Sequence, residues 1–223
     1  MDTRVDLYAN IHRGLRNLIT HFSLQAGAAD WTDATIVVQL AAKWEELKLI
    51  LDAHHKHEEQ HIHPLLARII PGGHRSYEAD HVAQHAVLAD LDTHFQGLRD
   101  GAVQAEKRSQ VGLEFYRGLS LFYASYLQHL HREETEAQRA LDVLCLPQET
   151  GAALQAIMSS LPMEELLLTI DFLFPALTLA EGLALMAAMQ ASAPPQVFAV
   201  LAERVCQARG EADCARIQGA LNL

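Results

Sequence analysis

The stretch HHKHEEQHIHP, residues 54–64, holds five histidines and two glutamates within eleven residues. A run of this kind has three interpretations: a solvated charged surface, a histidine-rich tract, or one wall of a metal site. The choice depends on which residues share a helix face with the core, and on whether the rest of the chain supplies partners. Helical periodicity in and around the stretch therefore decides both fold and function.

The composition is that of a soluble globular protein. Half of the residues are apolar and a fifth are charged, an ordinary globular composition. With 223 residues, the chain is also long enough to bury a core. The formal net charge of -11 disfavours nucleic acid and anionic membranes as partners, because both require a basic face. There are 13 histidines, none of them after His131. This asymmetry separates a histidine-rich body from a C-terminal segment of different character.

The cysteines and the apolar segments bear on the compartment. Cys145, Cys206 and Cys214 are odd in number and lack CxxC spacing, which favours reduced, mostly buried thiols over a disulfide framework. The N-terminal residues lack the apolar core of a signal peptide, and the most apolar later stretch is interrupted by charged residues and proline. We therefore expect a cytoplasmic protein without a membrane span.

Apolar residues recur at helical spacing almost throughout the chain, and no long strand-like alternation is present. Short links join four long segments, which favours an all-α fold with an up-down-up-down four-helix bundle over residues 1–145. Residues 146–223 are predicted to form a C-terminal extension of about four short helices that covers the bundle or forms a dimer surface. The four segments are Val5–Ala26, Asp33–Ile70, His74–Gly101 and Glu106–Leu144.

The second segment places polar residues on its inner face. Residues that face the interior of a bundle recur with alternating steps of three and four, and in this segment that series passes through His54 and Glu58. His55 and His63 fall about 100° and about 180° from the stripe, so both are predicted to face solvent. The apolar members of the stripe are Leu40, Trp44, Leu47, Leu51, Leu65 and Ile69.

The other three segments also carry polar residues on their inner faces. A buried imidazole or carboxylate costs free energy unless it is paired or bound to a metal. Five inward histidines and two inward glutamates from four helices are hard to satisfy by mutual hydrogen bonds, whereas a metal cluster satisfies them directly. Imidazole and carboxylate without thiolate favour Fe, Mn or Zn, and two His-xxx-Glu motifs allow the carboxylates to bridge two ions. The added inner residues are His12, His81, His85, His129 and Glu133.

A ferritin-like carboxylate site is the rival arrangement. It requires Glu-x-x-His on two helices and a glutamate from each of the other two. Glu58 with His61 and Glu78 with His81 fit that spacing, but the fourth segment has no such motif and the first has no glutamate. The histidine-rich interpretation is therefore preferred.

Together these motifs resemble the hemerythrin-like family, over residues from about 5 to 145. The resemblance lies in IHRGLRNL, HHKHEEQHIHPLL with its Pro64, DHVAQHAVL and HLHREETEAQRAL, one from each segment. It implies that one or both of the third-segment histidines bind metal, and that the fourth segment supplies Glu133, favoured by the inner stripe, or Glu134. His57 and His61 lie near the stripe and are candidates to support the ligands. The implied ligands are His12, His54, Glu58, His81, His85, His129 and Glu133.

The resemblance implies a non-haem di-iron protein with two Fe ions, joined by an oxo or hydroxo bridge, with Zn or Mn as alternatives. Such a protein binds oxygen, nitric oxide or peroxide for sensing, stress response or iron handling. Two alternatives stay open: a di-metal oxidase- or peroxidase-like enzyme, and a structural, metal-stabilised interaction protein. The expected partner is a small diatomic or peroxide ligand, without nucleic acid or membrane, and a homodimer is an option.

Overall fold

The computed structural model describes residues 4–221, and all regular structure in that range is helical. The all-α prediction is confirmed. No helix among these residues has the length and apolar character needed to cross a membrane. The helices are α1 (Ala9–Gly27), α2 (Ala34–His57), α3 (His63–Ile69), α4 (Arg75–Arg99), α5 (Arg108–Arg132), α6 (Gln138–Leu144), α7 (Pro147–Ser160), α8 (Met163–Leu173), α9 (Leu179–Ser192), α10 (Pro195–Arg209) and α11 (Glu211–Leu221), with 3₁₀ turns at Ala105–Lys107 and Phe174–Ala176.

The chain forms two compact units. The first holds Leu18–Ile157 together with the described residues up to Tyr8, and the second holds Ala9–Asn17 and the residues from Met158 onward. Helix α1 therefore contributes to both units. The division of the chain near residue 145 stays a prediction.

Local signals set the start of α2 as the sequence predicts. The Asp33 side chain accepts hydrogen bonds from the backbone N–H groups of Thr35 and Ile36, at 2.7 and 3.4 Å. An N-cap of this kind satisfies backbone donors that have no partner within the helix. In the connection between α3 and α4, Gly72 adopts a positive φ of 75°, a conformation that glycine enters readily.

Two apolar clusters fill the first unit. In the first, the rings of Phe22, Trp31, Trp44, Phe95 and Phe115 contact one another, the closest centroids being those of Phe95 and Phe115 at 4.9 Å. Edge-to-face aromatic contacts of this type contribute beyond simple area burial. The second cluster consists of Leu7, Tyr8, Ile62, Leu66, Tyr77, Ala137, Leu141, Cys145 and Ala153.

Polar residues lie between these two clusters. The buried face of α2 runs from Trp44 in the aromatic cluster through His54, and the helical rod continues through Glu58 to Ile62 in the second cluster. Helix α4 follows the same order, with Phe95 in the first cluster, His81 along its length and Tyr77 in the second. The first unit thus has a buried polar layer between two apolar ones.

Two π-helical turns interrupt the long rods of the first unit. Glu58–Ile62 joins α2 to α3, and Glu133–Ala137 joins α5 to α6. In a π turn the backbone bonds run from residue i to i+5, so the turn takes in about one extra residue. Each residue beyond it is rotated by about 100° relative to an uninterrupted α-helix. Both turns begin at the glutamate of a His-xxx-Glu motif.

The extra residue changes which side chains face inward beyond each turn. Leu66 is buried where Leu65 is predicted, and Leu141 is buried where Ala140 is predicted, a displacement of one residue in both rods. The prediction that His63 faces solvent is wrong for the same reason. His63 follows the first π turn directly and is only 2% exposed.

The second unit has its own core, built from α8 to α11 around Ile170, Phe174, Met186 and Phe198. The N-terminal part of α1 belongs to it: Arg13 forms an ion pair with Glu181 at 2.7 Å. Over the described residues from Pro147 onward there are five helices, α7 to α11, rather than about four.

A disulfide joins Cys206 to Cys214, so the prediction that these thiols are reduced is wrong. The two cysteines lie on α10 and α11, which Gly210 connects with a positive φ of 83°. The sharp turn returns the chain on itself, and the two Cα atoms lie 4.6 Å apart. Cys145 is free and buried. The cytoplasmic expectation stays a prediction, and its argument from unpaired cysteines no longer holds.

Candidate metal centre

Three histidines of the polar layer direct Nε2 toward two buried glutamates. Nε2 of His54 lies 3.2 Å from Oε1 of Glu58, and Nε2 of His81 lies 3.3 Å from Oε2 of the same residue. Nε2 of His129 lies 3.2 Å from Oε2 of Glu133. The two His-xxx-Glu motifs lie close together, because ligand atoms of Glu58, His129 and Glu133 lie within 4.8 Å of one another. The burial of these motifs agrees with the inner stripes predicted for the second and fourth segments.

The opposite nitrogen of two of these rings is held by an outer carboxylate. Nδ1 of His81 lies 2.9 Å from Oε1 of Glu59, and Nδ1 of His129 lies 3.0 Å from Oδ2 of Asp80. A carboxylate oxygen accepts a hydrogen bond from Nδ1–H and so keeps the proton on Nδ1, which leaves the Nε2 lone pair on the inner side. Asp80 also forms an ion pair with Arg132. Metal-binding histidines in proteins are oriented in this way.

The inner ligand atoms are close enough to share a cation. One potential ligand atom from each of Glu58, His81, His129 and Glu133 lies within 4.8 Å of the others, and all four side chains are buried. Metal–ligand bonds of about 2.0–2.2 Å place two ligands of one ion at most about 4.4 Å apart, so only small movements are required. Buried charges of this density are paired or coordinate metals in proteins. The donor set fits a divalent cation.

The electrostatics of the layer reflect two carboxylates held together. Burial raises the pKa of Glu133 well above its usual value, and the neighbouring Glu58 raises it further. Burial likewise raises the pKa of Tyr8 well above 10, again with contributions from Glu58 and Glu133. Although burial opposes it, the contacts with Glu58 and Glu59 raise the pKa of His81. A cation between the carboxylates would offset the repulsion from Glu58 that adds to the effect of burial on the pKa of Glu133.

His55 is buried against the polar layer, so the prediction that it faces solvent is wrong. It is 1% exposed, and its ring stacks on that of His81 with centroids 4.0 Å apart and planes 12° from parallel. Helix α2 packs against α4 as well as toward the interior, so its buried arc is wider than a single stripe. Burial and the neighbouring His81 and His54 lower the pKa of His55 to about 2.

His55 has a potential ligand atom within 4.8 Å of ligand atoms of His81 and His129. Parallel stacked rings direct their lone pairs side by side instead of toward one point. The stacking therefore suits a residue that holds His81 in place.

Of the two histidines predicted on the inner face of the third segment, the structure buries one and exposes the other. His81 is buried in the layer, whereas the His85 side chain is 45% exposed, with Nε2 3.4 Å from Nδ1 of His55. The inner position of this helical turn is taken by Gln84, which is 5% exposed. The buried face of α4 passes from His81 to Gln84, a step of three residues, whereas the sequence predicted a step of four to His85. Ligation by His85 stays a prediction.

The other predicted ligands and supporting residues differ in how deeply they are buried. His12 is fully buried on α1, in the part of that helix that belongs to the second unit. Glu133 is fully buried, whereas Glu134 is only partly so. His57 and His61 are also partly buried, and their rings stack with centroids 6.2 Å apart. Ligation by His12 and support by His57 and His61 stay predictions.

Comparison with known proteins agrees with this arrangement. The family description of the hemerythrin HHE cation-binding domain matches residues 3–141, more than half of the chain. The chain belongs to this family. The resemblance drawn from the four sequence motifs is thereby confirmed. No curated protein and no solved structure gives a significant match.

Membership of a cation-binding family agrees with the donor set of the polar layer, in which imidazole and carboxylate groups converge from α2, α4 and α5 and from the π turns that follow α2 and α5. Sequence patterns missed Asp80, Gln84 and the buried position of His55. The role of Asp80 was not predictable from its own helix, because its partner His129 lies on α5. Gln84 and His55 depend on the breadth of the buried arc, which one helix alone does not reveal.

Proposed function

We propose that this chain is a non-haem di-iron protein that binds a small oxygen- or nitrogen-containing ligand for sensing, stress response or iron handling. The observation that carries the proposal is the pair of buried glutamates, Glu58 and Glu133, faced by Nε2 atoms of three histidines. Such a group is costly without a cation and is well matched to two. Membership of a family named for cation binding supports it.

The proposed ligand set divides between two ions. Glu58 and Glu133 would bridge them, His81 and His129 would bind one ion, and His54 would bind the other. His12 would complete the second set: it is fully buried and follows Tyr8 by one helical turn, and Tyr8 is itself subject to the charges of Glu58 and Glu133. In this proposal the four long rods form an up-down-up-down bundle, with one histidine or more from each.

Iron is the metal of this proposal, with Zn and Mn as competitors that the same donor set would accept. Imidazole and carboxylate ligands suit borderline and hard ions, and the described polar layer holds no thiolate. When bound, two iron ions supply redox chemistry toward a small ligand. The protein's own contribution is to hold the imidazoles by Glu59 and Asp80, and to enclose the centre between two apolar clusters.

Metal analysis and a matched set of variants test the proposal. Protein from iron-supplied cells should contain close to two Fe per chain, and oxygen added to the reduced protein should produce a charge-transfer absorption band that is lost on deoxygenation. His54→Ala and Glu58→Ala should each lose most of the metal. His94→Ala is the control, because His94 is exposed and its Nδ1 bonds only within its own helix, to the carbonyl of Asp90.

The alternatives give different results in the same experiments. A single tightly held Zn would support a structural, metal-stabilised interaction protein and would overturn the di-iron proposal. Irreversible bleaching with turnover of peroxide would support an oxidase- or peroxidase-like enzyme. We further propose that the partner is a small molecule rather than nucleic acid or membrane, consistent with the net charge of -11, and that a homodimer is the alternative to a monomer.

A further inference from the structure

A polar cleft runs between α4 and α5 beside the proposed metal centre. Its volume is about 320 Å³, enough for several water molecules at about 30 Å³ each. His129, a proposed ligand, lines it together with the Asp80–Arg132 ion pair. The cleft is lined by Asp80, Ala83, Gln84, Val87, Ser125, Gln128, His129 and Arg132.

Gln84 is the unexplained residue of this cleft. It is 5% exposed, and its Oε1 is wholly buried without a hydrogen-bond partner among residues 4–221. A buried amide oxygen of this kind costs free energy unless something donates to it. Apolar side chains occupy most of the corresponding inner positions of α4, at Leu88, Leu91 and Phe95. The sequence therefore places an acceptor where packing alone would favour a hydrocarbon.

We propose that the α4–α5 cleft binds a small O–H donor of the hydrogen peroxide or water class and conducts it to the metal centre, with Gln84 Oε1 as its hydrogen-bond acceptor. The proposal rests on the di-iron function and narrows its ligand. Dioxygen and nitric oxide carry no proton to donate, whereas hydrogen peroxide carries two. The polar lining supplied by Ser125 and Gln128 is likewise suited to a hydrated, hydrogen-bonding molecule.

The metal-free protein gives the first test, which does not depend on iron. Gln84→Leu removes the buried amide at similar volume. If Oε1 has no partner within the protein, the melting temperature of the metal-free variant should equal or exceed that of the wild type. A clear decrease would mean that the amide already serves a structural hydrogen bond, and would overturn the proposal.

The second test measures entry of hydrogen peroxide into the iron-loaded protein by stopped-flow absorbance. Gln84→Leu and Val87→Trp, which fills the mouth of the cleft, should each slow the peroxide reaction at least ten-fold with unchanged iron content. Under the same conditions, the rate of oxygen binding should change less than three-fold in Gln84→Leu. Val38→Trp is the matched control, since Val38 is 60% exposed on α2 and does not line the cleft.

The two proposals fail in different ways. Wild-type protein that holds no iron would overturn the proposed function before the cleft is tested. Full iron content with unchanged peroxide rates in both cleft variants would overturn the cleft proposal alone. Equal slowing in the Val38→Trp control would do the same, because the effect would then not depend on the cleft.

Discussion

Glu133 links the metal centre to the stability of the folded chain. Burial and the adjacent Glu58 raise the pKa of this carboxyl group well above its usual value of 4.5 in the metal-free state. The folded protein therefore retains a proton that the unfolded chain has already lost, so its stability falls as the pH rises from 4.5 through the folded pKa. His81, whose pKa is also raised, acts in the same direction above pH 6.5.

We expect the melting temperature of the metal-free protein to fall as the pH rises above 4.5, and Glu133→Gln to reduce that dependence. One retained proton accounts for at most about 1.4 kcal/mol per pH unit, and glutamine is neutral at every pH. Circular dichroism melts of both proteins across this range measure the effect. An unchanged slope in the variant would mean that Glu133 is ionised in the folded state.

The same residues indicate how far sequence alone predicts the site. His54, Glu58, His129 and Glu133 were predicted because each motif lies on an apolar stripe of a single helix. His55 was not, because its burial depends on the ring of His81 from another helix, 4.0 Å away. Sequence periodicity describes one helix at a time, and contacts between helices lie outside its reach.

At the scale of secondary structure, the π turn at Glu58–Ile62 behaves as a one-residue insertion into a helical rod. The segments on either side were predicted to be helical, and they are, but the inner face moves from Leu65 to Leu66 beyond the turn. The apolar spacing does not mark the extra residue, because periodicity assumes a constant 3.6 residues per turn; only Pro64, which has no N–H to donate to Gln60, stands beside this turn. Its position at Glu58, a buried residue of the candidate metal centre, agrees with the frequent occurrence of π turns at functional sites.

Deletion of Gln60 tests this interpretation. Removing one exposed residue from the π turn should restore a continuous α-helix while Leu66 keeps its inward position, so the metal-free protein should stay folded. Deletion of the exposed Leu49, within the regular part of α2, is the control. It should rotate the two ends of the rod by about 100° and lower the melting temperature far more. Similar losses in both deletions, measured by circular dichroism, would contradict the insertion model.

At the scale of the whole molecule, the family match and the compact units begin and end at different residues. The match ends at residue 141, yet Ala9–Asn17, which lie inside it, belong to the unit formed by the residues from Met158 onward. The predicted division into a bundle and an extension assigned each helix to a single domain. Helix α1 begins in the second unit and ends in the first, while the division near residue 145 stays a prediction.

Gly14 lies where α1 and α8 approach each other within the second unit. A Cβ atom at Gly14 would lie 2.8 Å from Cδ2 of Phe172 and 3.2 Å from the backbone Cα of Leu173, so α1 and α8 approach too closely for a side chain. Gly14→Val should therefore destabilise the protein by about 1–3 kcal/mol, the usual cost of overpacking. Gly151→Ala is the matched control, because no atom lies within 4 Å of its added Cβ. Urea unfolding should show Gly151→Ala to be neutral or stabilising by about 0.5–1 kcal/mol, since alanine favours a helix interior. If Gly14→Val proved equally neutral, the close approach of these helices would not contribute to holding the N-terminal half of α1 in the second unit.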